Sequence, residues 1–230
     1  MTNPNPRSKP LVAILAGAAF GALVVTGGAL VYLGGFGAGN AAKAETVELA
    51  RGIVETPECV LGEDARATID AAAKGHVAAM QSVERGISLS GLSFTNAEGA
   101  PMTLADLGNG TRLLNLWATW CAPCRAEMPG LDALTAEGDA DGSVTVVGLS
   151  VDTGEIAKPA AWLDELTENM ALYHDNTMGA FTGMRLAGLA TGLPVTVLVD
   201  GKGCAVAAMN GPAEWNTDDA RGLIAAVNNL

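Results

Sequence analysis

The alternation of apolar and polar stretches divides the chain after residue 85 into short buried strands and amphipathic helices. Residues 113–117 and 144–151 are largely apolar runs of the length expected of central strands buried on both faces. The segment between them has helical character. Strand, helix and strand at that spacing predict a βαβ unit with a right-handed crossover. Residues 156–170 supply a further crossover helix, 194–200 and 205–209 a hairpin across Gly201-Lys202-Gly203, and 218–228 a closing helix with Thr217 at its N-cap. Upstream, residues 46–55 and 63–83 are Ala-rich and predict two helices, 92–94 a short strand and 102–107 a turn with a local helical pattern. The fold class is α/β, a mixed central sheet with helices on both faces behind an amino-terminal helical extension.

One stretch is too apolar for that fold. Residues 11–33 form an uncharged run of 23, long enough at 1.5 Å per residue to cross a hydrocarbon core of roughly 30 Å. Arg7 and Lys9 precede it and no positive charge follows until Lys43, which predicts a cytoplasmic amino terminus and an exported carboxy-terminal part. A cleaved signal peptide is the competing reading, since Ala42-Lys43-Ala44 offers a small-x-small site. The length of the run, against about 7–15 residues in a signal core, favours an anchor. Residues 34–44 are small and glycine-rich, as in a flexible tether. The expected organisation is a cytoplasmic tail (1–10), a transmembrane helix (11–33), a tether (34–44) and one periplasmic domain (45–230), divided into an extension (45–85) and a core (86–230). The protein is thus expected in the inner (cytoplasmic) membrane, single-pass, with the lipid bilayer as a partner.

The formal net charge is −12, with Asp and Glu spread through the domain rather than gathered in one block. Such a surface argues against nucleic acid as a partner and otherwise bears on solubility.

The chemistry centres on Trp120-Cys121-Ala122-Pro123-Cys124, directly after the first apolar run. Two thiols two residues apart at the start of a helix can close a small disulfide ring or open it to a dithiol. The helix N-terminus directs N–H groups and its positive dipole end at the first sulfur, favouring thiolate over thiol. Cys121 is therefore the expected nucleophile, and Cys124, one turn on, the thiol that resolves a mixed disulfide. Pro123 starts a helix without losing a hydrogen bond. Zinc ligation needs four ligands, and the remaining cysteines, Cys59 and Cys204, are single and distant in sequence. An inert structural disulfide is a further alternative.

The run from Leu113 to Pro129, with Asn115, Leu116, Trp117, the Trp120–Cys124 motif, Arg125, Ala126, Glu127 and Met128, resembles the membrane-anchored branch of thioredoxin-like proteins typified by TlpA, with the ResA and CcmG proteins as relatives. The resemblance implies a thioredoxin-like fold. It also implies a cis-proline facing the two cysteines, here Pro194 in Gly192-Leu193-Pro194-Val195, with Leu193 presenting backbone groups to the partner segment. An ordinary trans-proline opening a strand is the alternative. Asn115 stands where cytoplasmic thioredoxin has a buried acid, and an asparagine cannot titrate. The resemblance offers Glu127, three residues after Cys124, as the substitute that handles protons, set against a merely solvated glutamate.

Cys59 and Cys204, left over in an oxidising compartment, are expected to pair. The resemblance points the same way, with two buried free thiols as the other reading. His76 and His174 lie at no ligand spacing from each other or from a cysteine, so no metal site and no cofactor are expected. Exported copper chaperones of thioredoxin type carry three residues between their cysteines, and this chain carries two.

The resemblance implies a protein-disulfide reductase. Its clients would be disulfides in exported metalloproteins, such as a copper chaperone, an oxidase subunit or an apocytochrome, during cytochrome oxidase or cytochrome c biogenesis. A membrane electron donor would re-reduce it. A general dithiol oxidase and a Cu(I)-binding chaperone that is not an enzyme are the rivals. Trp120, Met128 and Leu193 are expected to shape client choice.

Overall fold

The computed structural model describes residues 47–230. The expected tail, anchor and tether, and the alternative cleavage site at Ala42-Lys43-Ala44, lie outside the described residues. Among the described residues, no helix is long and apolar enough to cross a membrane.

The extension opens with a hairpin where residues 46–55 predicted a helix. Strands β1 (Val47–Ala50) and β2 (Ile53–Glu55) pair antiparallel. They are joined by Arg51 and Gly52, both at positive φ (54° and 78°). Two successive left-handed residues make a tight connection whose twist matches the strands, and this overrides the helical propensity of the neighbouring Ala and Glu. After a one-turn 3-10 helix (Pro57–Cys59) comes α1 (Glu63–Ala72). The helix predicted to reach residue 83 ends there, because the chain turns through Gly75 at φ 53°, whose missing Cβ leaves room for the Asp219 carboxylate. A second 3-10 turn (Gly75–Val77) leads into β3 (Gln81–Ser82). The extension is therefore mixed rather than helical.

β4 (Ile87–Ser88) completes a three-stranded sheet in the order β1-β2-β4. β5 (Ser93–Asn96) and β6 (Pro101–Thr103) form a hairpin, extending the strand expected at 92–94. The local helical pattern at 102–107 is a 3-10 turn (Leu104–Leu107) closed by a capping box between Thr103 and Asp106.

The βαβ unit then follows as β7 (Arg112–Trp117), α2 (Ala122–Asp141) and β8 (Thr145–Ser150), with β7 and β8 parallel. α3 (Ala157–Asp164) is shorter than residues 156–170 predicted. The Asp132 carboxylate on α2 accepts the N–H groups of Glu168, Asn169 and Met170 at 3.1, 2.7 and 3.1 Å, and donors held there are not available to extend the helix. β9 (Tyr173–His174) adds parallel to β8.

The next helix, α4 (Gly179–Leu186), had no counterpart in the sequence reading. Its start is fixed by buried Asp175, which accepts from the Thr177 hydroxyl at 2.6 Å and from the Ala180 N–H at 2.6 Å. Its Gly183 allows close packing on the first hairpin, since a Cβ there would meet Ile53 Cδ1 at 2.8 Å. β10 (Val195–Val199) and β11 (Ala205–Asn210) form the expected hairpin, and α5 (Asp218–Asn228) begins at Thr217, whose hydroxyl accepts the Ala220 N–H at 3.3 Å.

Eight strands join in the order β3-β11-β10-β7-β8-β9-β5-β6. β7 lies between parallel β8 and antiparallel β10, with Leu116 opposite both Leu149 and Val195. Leu113, Leu114, Leu116, Val195, Val197 and Leu198 are fully buried, each burial being worth about 1.5–3 kcal/mol. This makes the centre of the sheet a rigid base for whatever its strand ends carry.

Candidate active site

Two chain reversals meet at one end of this base. β7 runs out at Trp117 into the turn 118–121, closed by the Cys121 N–H donating to the Ala118 carbonyl at 3.0 Å. Antiparallel β10 enters at the same end, one step after Pro194, because Val195 is paired with Leu116. The register of two buried strands thus brings the cysteine motif and the Leu193–Pro194 peptide to the same edge, and that peptide is cis. Pro194 is buried and Leu193 half-buried.

Cys121 is the N-cap of α2, with Pro123 in the first turn. The Cys124 N–H donates to Cys121 Sγ at 3.3 Å, so a free helix-start donor is aimed at the first sulfur. The two cysteines form a disulfide with Cα atoms 5.3 Å apart. Cys124 is fully buried and Cys121 is 5% exposed, while neighbouring Trp120 stands 62% exposed. The first thiol is thus at the edge of the surface beside a large apolar side chain, and the second lies beneath it.

Glu127 is not a solvated glutamate. It is 3% exposed, and Oε1 accepts from Asn115 Nδ2 at 2.8 Å. Oε2 accepts from Trp215 Nε1 at 3.1 Å and from the Ala213 N–H at 3.3 Å. Burial pushes the carboxyl above the usual range, opposed by the hydrogen bonds from Asn115, Trp215 and Ala213, and the net direction is upward. Beside it a cleft of about 360 Å³, lined by Glu127, Ala126, Pro212, Ala213, Glu214 and His76, opens to the surface. Asn115 also donates to Thr196 Oγ1 at 3.0 Å. Asn115 and Glu127, singled out separately in the sequence, are therefore one hydrogen-bonded unit.

The remaining candidates lie elsewhere. Cys59 and Cys204 are joined across 145 residues, tying the 3-10 turn after β2 to the start of β11. His76 is exposed and contacts Asp219 at 3.2 Å and Glu214 at 3.5 Å. His174 is buried, with Nε2 2.8 Å from the Asp152 carbonyl oxygen. Among the described residues, no three His, Cys, Asp or Glu side chains are grouped to hold a metal ion.

Three site residues escaped the sequence reading. Trp215 and Thr196 reach Glu127 and Asn115 only through tertiary packing. Asp152 accepts from the Thr119 N–H at 2.8 Å and the Thr119 hydroxyl at 2.7 Å. Its position just past the predicted second strand, at the strand end nearest the motif, was the one available signal.

A strand, a cysteine pair at the N-cap of the next helix and an opposing cis-proline define a thioredoxin-like protein. Residues 87–208 match the model of the AhpC/TSA family, and the chain belongs to that family. It is 36% identical over 118 residues to the thiol:disulfide interchange protein HelX of Rhodobacter capsulatus, a match covering 49% of this chain and 60% of HelX. It is 39% identical over 94 residues to the thiol:disulfide interchange protein DsbE of Escherichia coli, covering 40% of this chain and 44% of DsbE. Both matches take in less than two thirds of the relative. A secreted thiol-disulfide isomerase from Corynebacterium glutamicum superposes with a TM-score of 0.54 at 20% identity, over 66% of this chain and 90% of that one, which shows a common fold.

Proposed function

We propose that this protein is a thiol-disulfide oxidoreductase working through Cys121 and Cys124, and that it acts as a reductant. The observation that carries this reading is Cys121 at the N-cap of α2, its sulfur receiving the Cys124 N–H at 3.3 Å. That geometry stabilises a thiolate at the outer sulfur of the pair. The interchange activity printed in the names of the two relatives supports it.

In the cycle, the Cys121 thiolate attacks one sulfur of a client disulfide, forming a mixed disulfide and releasing the other client sulfur as a thiolate. Cys124 then loses its proton and attacks Cys121 Sγ. The client leaves as a dithiol, two electrons have passed to it, and the Cys121–Cys124 disulfide remains for an external dithiol to reduce. Glu127, whose raised carboxyl lies on the helix that carries Cys124, accepts and returns the proton of that step. The segment at Leu193 and Pro194 lies beside the client during the mixed disulfide.

The clients are disulfides of exported metalloproteins, whose thiols must be reduced before they bind copper or haem in cytochrome oxidase or cytochrome c assembly. The amino-terminal apolar run holds the domain on the periplasmic face of the inner membrane, where a membrane electron donor resupplies it. A Cys124→Ser variant tests the chemistry. It should accumulate mixed disulfides with its clients through Cys121, and their absence in that variant sinks the exchange reading. The equilibrium of the active pair with glutathione tests the direction: a potential near or below about −200 mV fits a reductant, and one near −120 mV an oxidant.

A further inference from the structure

Asp152 lies just beyond β8, and its carboxylate is committed almost entirely to the turn that carries the nucleophile. Oδ2 accepts the Thr119 N–H at 2.8 Å and the Ser150 hydroxyl at 3.1 Å, and Oδ1 accepts the Thr119 hydroxyl at 2.7 Å. Thr119 is the second residue of the turn closed from the Ala118 carbonyl to the Cys121 N–H. The N–H and the hydroxyl of that residue are held by one side chain, which fixes the turn that delivers Cys121 to the helix start.

Neutral acceptors could make the same bonds. The carboxylate is buried, its side chain 5% exposed, and among the described residues its cationic partner is Lys158 on α3, 3.9 Å away and itself 71% exposed. His174 of β9 meets the Asp152 carbonyl through Nε2 rather than the carboxylate, and Arg125 of α2 is paired with Glu165.

We propose that Asp152 is a positioning residue for Cys121: it pins the turn and sets a negative field against the thiolate, partly relieved by Lys158. A nearby negative charge disfavours the thiolate, opposing the helix dipole. The thiolate that does form is more nucleophilic, and the dithiol is a stronger reductant. The inference deepens the exchange reading above and rests on Cys121 being its nucleophile.

The test compares the full-length protein with Asp152→Asn, which keeps the size and an acceptor for Thr119, and with Lys158→Gln, a surface change. Two quantities are read: the pH dependence of Cys121 alkylation in the reduced protein, and the exchange equilibrium with glutathione. Asp152→Asn should raise the Cys121 thiolate fraction at neutral pH about tenfold, the order expected of one nearby, partly screened charge. It should shift the glutathione equilibrium about tenfold towards the dithiol, which is about 30 mV. Lys158→Gln should move both quantities the other way by a smaller factor. Unchanged values in Asp152→Asn, or shifts of the same sign in the two variants, overturn the proposal. The alkylation profile needs no disulfide exchange, so a wild-type protein that fails to exchange with glutathione counts against the functional reading alone.

Discussion

Asn115 Nδ2 donates to Glu127 Oε1 at 2.8 Å, joining the centre of β7 to the helix that Cys121 caps and Cys124 enters. Three donors converge on the Glu127 carboxyl, from Asn115, Trp215 and Ala213, and each favours its charged form. Burial favours the neutral form and outweighs them. The acid is thereby held above the ordinary carboxylate range, by burial and against its three donors.

The stability of the protein should carry the mark of that burial. The folded carboxyl is raised from its ordinary value near 4.5, so the unfolded chain releases this proton at lower pH than the folded one. Below the unfolded value the group costs nothing. As pH rises from there through the raised folded value, the cost of the buried charge develops in full. Glu127→Gln has no such charge, so wild-type stability relative to the variant should decline with rising pH across this window in urea titrations from pH 3 to 8. A difference independent of pH would contradict the raised carboxyl.

Trp215→Phe keeps most of the packing and deletes one donor to Glu127 Oε2. The carboxyl should move further upward, seen as a higher midpoint of its carbon resonance in an NMR titration. The fold should lose about 1 kcal/mol for the missing hydrogen bond.

Cys59→Ser combined with Cys204→Ser opens the loop of 145 residues that spans the domain. The expected loss is about 2–4 kcal/mol, read from urea midpoints of the oxidised proteins. The glutathione equilibrium of Cys121 and Cys124 should stay unchanged, because Cys204 lies at the end of the β10–β11 hairpin opposite Pro194.

Asn210 holds the approach to Pro194. Its Oδ1 accepts the N–H groups of Thr191 and Gly192 at 2.7 and 3.3 Å, and its Nδ2 donates to the Leu189 carbonyl at 3.1 Å. In Asn210→Ala, hydrogen exchange at Thr191 and Gly192 should quicken at least tenfold, while amides within β10 keep their protection. Equal acceleration throughout would show general loosening instead.

The central elements were legible in the sequence because their signals are local. Two apolar runs, a Cys-x-Pro-Cys segment and a Gly-Lys-Gly turn place β7, α2, β8, β10 and β11 with little help from the rest of the chain. The errors fall where distant groups decide. Asp132 takes the N–H groups that would lengthen α3, and Asp175 supplies the start of α4, a helix that Gly179 and Gly183 made unattractive on propensity alone. At the amino-terminal end, Arg51 in a left-handed turn converted an expected helix into a hairpin, and a non-glycine residue there leaves little trace in composition. The site divides in the same way. The cysteines, Glu127 and Asn115 stand in one continuous motif, whereas Trp215 and Asp152 reach it only after the chain has folded.

The bond between Cys59 and Cys204 gives the protein an unusual dependency. On the reading developed here, the domain donates electrons through one sulfur pair, yet its own extension is fastened by a pair that has given its electrons up. Both states belong to one chain. A donor that recharges Cys121 and Cys124 would have to leave the second bond alone, and since Cys59, Cys204 and Cys121 are buried alike, at 5%, 4% and 5% exposed, the distinction would rest on the helix start and the cis-proline that frame the first pair. Under the proposed function, one linkage would be made once and the other remade in every turnover.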